Sequence, residues 1–230
     1  MLKIYYTDIS DLPDRTDGLT LSEYRKDKLA TCRNASMRKQ QLGAELLLLW
    51  ALQQERIREL PPVISVLPGG KTVLQDGSLQ FSLSHSGDLA ACALSDRPVG
   101  LDLERNGRFH ESLLRRCFSP EEQRQILESV DPDSTFTELW TGKESILKRS
   151  GVGIRDNLAL VHPLSPDAGL RIWHTRISAC TGKKMNLAAA GTGYQLSVCY
   201  EAAAVGPEGL GFVAAEALMD AFSVSLEKNH

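Results

Sequence analysis

Apolar and polar positions along this chain follow two periods, and the switches between them outline its elements. Leu2–Tyr6 (LKIYY) predicts a short strand, and residues 21–33 form a polar, helix-friendly segment carrying Arg25, Lys26, Lys28 and Arg33. From about Ser36 to Leu60, the residues Leu42, Leu46, Leu49, Trp50, Ile57 and Leu60 recur at helical spacing until Pro61-Pro62 stops them. Residues 63–104 read as a β-meander. Turn signals at Pro68-Gly69-Gly70, Asp76-Gly77, Ser86-Gly87-Asp88 and Asp96-Arg97-Pro98 separate runs such as LQFSLS and LAACAL, and VGLDLE (99–104) closes the series. A short helix near Glu111–Cys117 follows. Ser119-Pro120-Glu121-Glu122 is a capping box with proline at the first helical position, starting a helix that runs to about Val130. After Asp131-Pro132-Asp133-Ser134 a third helix carries TFTELWTGKESILKRS and ends near Gly151. LRIWHTRIS and YQLSVCYE are strand-like, an amphipathic stretch spans about Leu210 to Phe222, and a frayed tail ends the chain. LAACALSD and YQLSVCYE share one pattern, a half-buried strand ending in an acid, which hints at two similar halves.

The period of VGLDLE puts Asp102 and Glu104 on one face of a strand, with Leu101 and Leu103 turned to the core. Two neighbouring carboxylates repel unless a cation or strong donor sits between them. On helix 135–150, a turn of ~100° per residue gathers Phe136, Leu139, Trp140, Ile146 and Leu147 on one stripe. Lys143 falls inside that stripe, so it either snorkels out or meets a partner charge. Glu144 and Lys148 lie together on the stripe's edge. They read either as a surface pair in the favourable order or as part of an all-oxygen cluster with Asp102 and Glu104. Such a cluster suits Mg²⁺ or Mn²⁺, and lysines beside the ion suit a phosphate ligand. Ser82-Leu83-Ser84-His85-Ser86-Gly87 is a second dense polar spot, either an anion pocket or a hydrogen-bonded hairpin corner. Arg38 and Lys39 oppose the dipole in the first turn of their helix, which is either solvated charge or a sign of a bound anion. PGGKT is no P-loop, since the first glycine would fall at Ser65, and no GxSxG elbow is present.

The chain has 230 residues, 42% hydrophobic and 24% charged, which suits one large domain or two smaller ones. A net charge of −3 gives no overall pull toward nucleic acid or membrane, so any anion site must be local. Five scattered cysteines without CxxC spacing argue for reduced thiols and against zinc or a disulfide framework. No signal-peptide run and no membrane-spanning stretch is present, so the expectation is a cytoplasmic protein.

FSLSHSGDLAACAL, VGLDLE and WTGKESILKRSGVGI, in this order and separation, resemble the three signature blocks of the 4′-phosphopantetheinyl transferases, in particular the larger class that activates surfactin synthetase. The first resembles N-[IV]-S-H-S with Ser82 for the usual asparagine; the second G-[IV]-D-[IV]-E with leucines; the third W-[ST]-x-K-E-[AS]-x-x-K. The resemblance runs from about residue 20 to 200. It implies an α+β fold of two similar subdomains related by a pseudo-twofold axis, with the active site in the cleft between them. Residues 1–100 would form the coenzyme A-binding half, and 101–230 the half carrying the metal acids and catalytic helix. It also implies a reaction in which a serine hydroxyl of an apo acyl or peptidyl carrier protein attacks the β-phosphate of coenzyme A, releasing adenosine 3′,5′-bisphosphate.

By the same resemblance, Asp102, Glu104 and Glu144 hold Mg²⁺, and Glu144 helps deprotonate the serine. Lys148 contacts the phosphates, and Lys143 is a catalytic lysine beside the acid. Ser84, His85 and Arg38 hold the 3′-phosphate, and Lys71 lies near the adenine, although Thr72 replaces the usual proline of that turn. Arg25 and Lys28 fall where two further basic contacts occur. Glu122 matches an acid near the site of relatives, and the capping box accounts for it equally well. Arg115 and Arg116, beside Leu113 and Leu114, are candidates for the carrier-docking face, or else that helix packs on its own core. A monomer is expected, with no nucleic acid or membrane partner. The alternatives are a Mg²⁺-dependent pyrophosphohydrolase acting on coenzyme A or a nucleotide, and a non-catalytic coenzyme A-binding module of the same fold.

Overall fold

The computed structural model describes residues 1–13, 16–57, 59–107, 109–153, 158–167, 169–178 and 193–223. The expected frayed tail beyond Ser223 and the last residue of the third signature block lie outside this set. The fold is α+β, in four layers. The first sheet has the order β4-β5-β1-β9, built from β1 (Leu2–Asp8), β4 (Gln80–Ser86), β5 (Leu89–Ser95) and β9 (Leu210–Phe212). The second has the order β6-β8-β7, from β6 (Gly100–Arg105), β7 (Leu170–Ser178) and β8 (Gly193–Glu201). A separate ribbon pairs β2 (Ile64–Val66) with β3 (Thr72–Leu74).

Alternation decides which face meets which layer. Ile4, Ala91 and Ala93 of the first sheet meet Leu101, Leu103, Leu196 and Val198 of the second in one buried core. The outer face of the first sheet (Phe81, Ala90, Cys92, Leu94) packs on α2 (Ala35–Gln54). The outer face of the second meets α5 (Pro132–Ser150), which rests in turn on α3 (Glu111–Cys117) and α4 (Pro120–Leu127). Because α1 (Glu23–Thr31) and α6 (Ala215–Phe222) cover α2 from outside, Leu46, Leu47, Leu48 and Leu49 are all buried. A helix apolar all round is one enclosed on every side.

Several sequence expectations change here. Residues 63–104 do contain five strands, but they form no single meander: β6 leaves its neighbours in sequence and pairs with β8. Helix α2 ends at Gln54, well short of the prolines. Arg56 adopts φ 60°, its N–H bonds Gln53 O and the Ile57 N–H bonds Leu52 O, which is a Schellman ending with arginine where glycine is usual. Helix α4 stops at Leu127, and α5 begins at Pro132, because Asp131 caps it by accepting from Ser134 N. The stretch 210–222 is a strand followed by a helix. β9 pairs in parallel with β1, and Leu19 bridges Ser223, so this segment returns to the first sheet and not to the half that precedes it. Among the described residues no helix is long and apolar enough to cross a membrane.

Candidate active site

Asp102 and Glu104 project from β6 away from the leucine core, as the strand period requires, toward α5 and β4. Gly100 permits the close approach: a Cβ there would stand 2.0 Å from Ser145 O and 2.3 Å from Arg149 N of α5. Helix α5 therefore lies against the strand, and its residues Trp140, Glu144 and Lys148, four apart, form one stripe over the two acids. From the other side, Ser82, Ser84 and Ser86 of β4 meet β6 in a row. Ser82 Oγ accepts from Leu101 N (2.9 Å), Ser84 Oγ donates to Asp102 Oδ1 (2.9 Å), and Ser86 Oγ donates to Glu104 Oε2 (2.6 Å) while accepting from Arg105 N. Lys148 Nζ donates to Ser84 Oγ (3.0 Å) and to Asp102 Oδ1 (2.6 Å).

Ser84, Asp102, Glu104, Trp140, Glu144 and Lys148 line a cavity of about 360 Å³, together with Tyr24, Arg25, Thr72 and His85. A second cavity of about 250 Å³ adjoins it, sharing Thr72, Leu83, Glu144 and Lys148 and lined further by Gly69, Gly70, Lys71, Phe81, Leu147 and Gly151. Glu144 has a raised pKa because of burial first, then the Asp102 charge, with Lys148 opposing. Glu104 is raised by burial, against the hydrogen bond from Ser86. His85 is lowered by burial and by the cations Lys148 and Arg25, which favours the neutral imidazole.

Asp102 Oδ2 and Glu144 Oε1 are buried without any hydrogen-bond partner. Buried polar atoms are normally paired, so two orphaned carboxylate oxygens beside one cavity fit a hard cation that would accept them. The donor set, all oxygen with no cysteine or histidine ligand, is that of Mg²⁺ or Mn²⁺. As the side chains stand, no three His, Cys, Asp or Glu among the described residues converge closely enough to cage an ion. The Lys148 ammonium meanwhile neutralises Asp102.

The structure thus brings together Ser84, His85, Asp102, Glu104, Glu144 and Lys148, with Lys71 on the adjoining cavity, and separates Lys143 and Arg38 from them. Lys143 is buried on the far side of α5, where its Nζ meets Glu122 Oε2 (2.8 Å), Leu158 O and Val161 O and lies 5.1 Å from the Phe118 ring centre. Its place in the apolar stripe is that of a paired core cation. Of the two readings of Glu122, the structure shows the capping box, in which the same Oε2 accepts from Ser119 N; it lines neither cavity. Arg38 Nη1 donates to Leu29 O at the end of α1 and lines neither cavity. Lys71 lines the smaller cavity, yet its Nζ donates to Val99 O (3.1 Å) and Arg149 O (3.0 Å), joining its turn to β6 and α5. Burial lowers Lys71 to about 8. Arg25 lines the larger cavity, whereas Lys28 is exposed beside Tyr24. On α3, Leu114 is core, and Leu113 and Arg115 are exposed.

Sequence reasoning missed Tyr24 and Glu45, gave Trp140 only a place in the apolar stripe, and named Ser86 only within the polar turn. Ser86 was legible as the third member of a row spaced by two. Glu45 was legible as a lone acid within LGAELLLLW.

Comparison with known proteins bears on the same elements. Residues 98–199, which include β6 and α5, match the 4′-phosphopantetheinyl transferase superfamily. The chain is 32% identical over 157 residues to the 4′-phosphopantetheinyl transferase psf-1 of Bacillus pumilus, covering 66% of this chain and 64% of that protein. It is 33% identical over 88 residues to the 4′-phosphopantetheinyl transferase Sfp of Bacillus subtilis (37% and 39% covered). It is 41% identical over 95 residues to the 4′-phosphopantetheinyl transferase HetI of a Nostoc species (37% and 40% covered). In each case the matched stretch spans less than two thirds of the relative's length.

Proposed function

We propose that this chain, a member of the 4′-phosphopantetheinyl transferase superfamily by its residues 98–199, transfers the 4′-phosphopantetheine arm of coenzyme A to a serine hydroxyl of an acyl or peptidyl carrier protein. The observation that carries this reading is the cavity in which Asp102, Glu104, Glu144 and Lys148 converge with two carboxylate oxygens unpaired. Asp102, Glu104 and Glu144 would hold Mg²⁺, whose charge when bound offsets that on the pyrophosphate oxygens.

The rest falls to the chain itself. The serine oxygen attacks the β-phosphorus, the bond from that phosphorus to the bridging oxygen breaks, and adenosine 3′,5′-bisphosphate leaves. Lys148 stays within reach of the phosphoryl oxygens from its perch on Ser84 and stabilises the charge that builds on them. Glu144, four residues before it on the same stripe, receives the serine proton, directly or through one water. Ser84 and His85, with Arg25, form the wall that receives the 3′-phosphate. Lys71 and Arg38 serve the site through the elements they tie, α5 and α1. The carrier reaches the reacting centre over α3 and α5, where Leu113, Phe136, Trp140 and Glu104 line an open notch. All of these side chains come from one chain, so a monomer suffices.

The test mixes the protein with coenzyme A, Mg²⁺ and a panel of apo carrier proteins and follows carrier mass. A gain of one phosphopantetheine on a carrier is expected. Phosphate products without a modified carrier would mean a pyrophosphohydrolase, and unchanged coenzyme A with every carrier would mean a binding module.

A further inference from the structure

Glu45 is a carboxylate with no exposed surface, set among leucines in the middle of α2. An ionised group in that position costs several kcal/mol unless partners offset it. Its two oxygens reach out of the helix to α1. Oε1 accepts from Ser22 N (3.0 Å), and Oε2 accepts from Arg25 Nε (3.4 Å). Ser22 is the N-cap of α1, so one oxygen secures the start of that helix. The other holds an arginine that is itself almost buried, with a side-chain exposure of 10%. Tyr24 flanks the guanidinium, with its ring centre 5.7 Å from Arg25 Cζ. Arg25 thus spends its Nε on Glu45 and lines the larger cavity beside His85 and Ser84. A guanidinium pinned at one nitrogen keeps its fork of remaining donors in a fixed direction, the arrangement suited to a phosphate.

We infer that Glu45 is a positioning residue for coenzyme A selectivity: it fixes Arg25 so that the guanidinium receives the 3′-phosphate. The inference rests on the reading of the cavity as a coenzyme A site. Its content is the difference between two ligands that share everything except one phosphate, and it is separate from catalysis.

Calorimetric titration of coenzyme A and of 3′-dephospho-coenzyme A onto wild type, Glu45→Gln, Arg25→Gln and the double variant decides it. Wild type should bind coenzyme A more tightly. Each single variant should lose about 10- to 100-fold in coenzyme A affinity, the worth of one charge-assisted contact, and little with the dephospho ligand. The double variant should be no worse than Arg25→Gln alone, because the two residues act as one unit. If Glu45→Gln fails to fold, Glu45→Asp, which draws the charge back by one methylene, must show the same selective loss. Equal weakening of both ligands, unchanged coenzyme A affinity, or additive losses would each overturn the inference and leave Glu45 as a helix cap. Wild-type protein that binds neither ligand would overturn the coenzyme A reading itself. Selective binding without carrier modification would overturn only the transfer reaction.

Discussion

Helix α5 carries two lysine–carboxylate pairs, five residues apart, one buried and one half-buried, that have opposite characters. On one side, Lys143 meets Glu122 at 2.8 Å with exposures of 0% and 2%, and its ammonium has three acceptors for its three protons. On the other, Lys148 meets Asp102 at 2.6 Å, has among the described residues only Ser84 as a second acceptor, and borders open cavity. Orphaned oxygens alone do not separate the pairs, because Glu122 Oε1 is unpartnered as well as Asp102 Oδ2 and Glu144 Oε1. What separates them is a spare donor, spare acceptors and ligand-sized space in one place. The Lys143 pair is closed and supports structure; the Lys148 pair is open and available to a ligand.

Breaking the closed pair should have the largest effect. Lys143→Ala strands Glu122 in the core and should cost about 3–5 kcal/mol of stability, read by urea denaturation. That is a large share of the ~5–15 kcal/mol that holds a typical domain together. Turnover per folded molecule should suffer less than in Lys148→Ala. Removing the open pair's cation should in turn lower kcat by about 10²–10³-fold, as loss of one charge-stabilising donor does, with a smaller loss of stability than Lys143→Ala because Lys148 is part-exposed. If Lys148→Ala unfolded the protein and Lys143→Ala abolished turnover in folded protein, the two roles would be reversed.

A third change tests whether the contrast depends on how closely α5 lies on β6. Gly100→Ala would place a methyl about where Ser145 O and Arg149 N now stand. Backbone does not yield as a side chain does, so α5 must lift. A shift of ~1 Å at a reacting centre is worth about 10² in rate, and overpacking costs about 1–3 kcal/mol of stability. Both pairs ride on the same helix, but only the open one needs its partner across the cavity. Activity should therefore fall further than stability, measured as kcat beside the thermal midpoint. Equal loss of both would mean that the helix as a whole is displaced from its core.

Local rules made much of this visible in the chain itself. The period of VGLDLE put Asp102 and Glu104 on one face, and both line the cavity. The Ser119–Glu122 box and the glycine at 151 bound their helices as read. What stayed hidden was non-local. Nothing near β6 announces that its partner is β8, some 90 residues on in sequence, with Asp102 opposite Ser197. Lys143 was visible as a misfit in an apolar stripe, but which acid would meet it depended on how α4 packs on α5. The resemblance suggested a catalytic lysine there; the packing gives it a carboxylate and two carbonyls instead. The end of α2 was missed for a different reason, since Arg56 takes a left-handed conformation that glycine would have advertised.

Lys71 falls between the two pairs and gives the smallest and most discriminating test. It lines a cavity as Lys148 does, but its acceptors are backbone carbonyls, as two of the three are for Lys143. Among the described residues it has no carboxylate to offset burial, which lowers its pKa from the ordinary 10.5 to about 8. Between those two pH values the unfolded chain holds a proton on this amine that the folded chain has released. Stability must then rise with pH across the window, because the unfolded state binds more protons. Below about 8 both states are charged and the penalty is fully present; above 10.5 both are neutral and it is gone. In Lys71→Met the amine is absent, so the stability gap, taken as wild type minus variant, should grow more positive from pH 8 to 10. We expect on the order of 1 kcal/mol, since partial exposure screens the charge, and urea denaturation of both proteins at each pH would measure it. A gap that stayed flat would mean the ammonium has solvent or a counter-charge, placing Lys71 with the open pair and returning it to the ligand. A rising gap places it with the closed one, as a tie between the glycine turn and the end of α5.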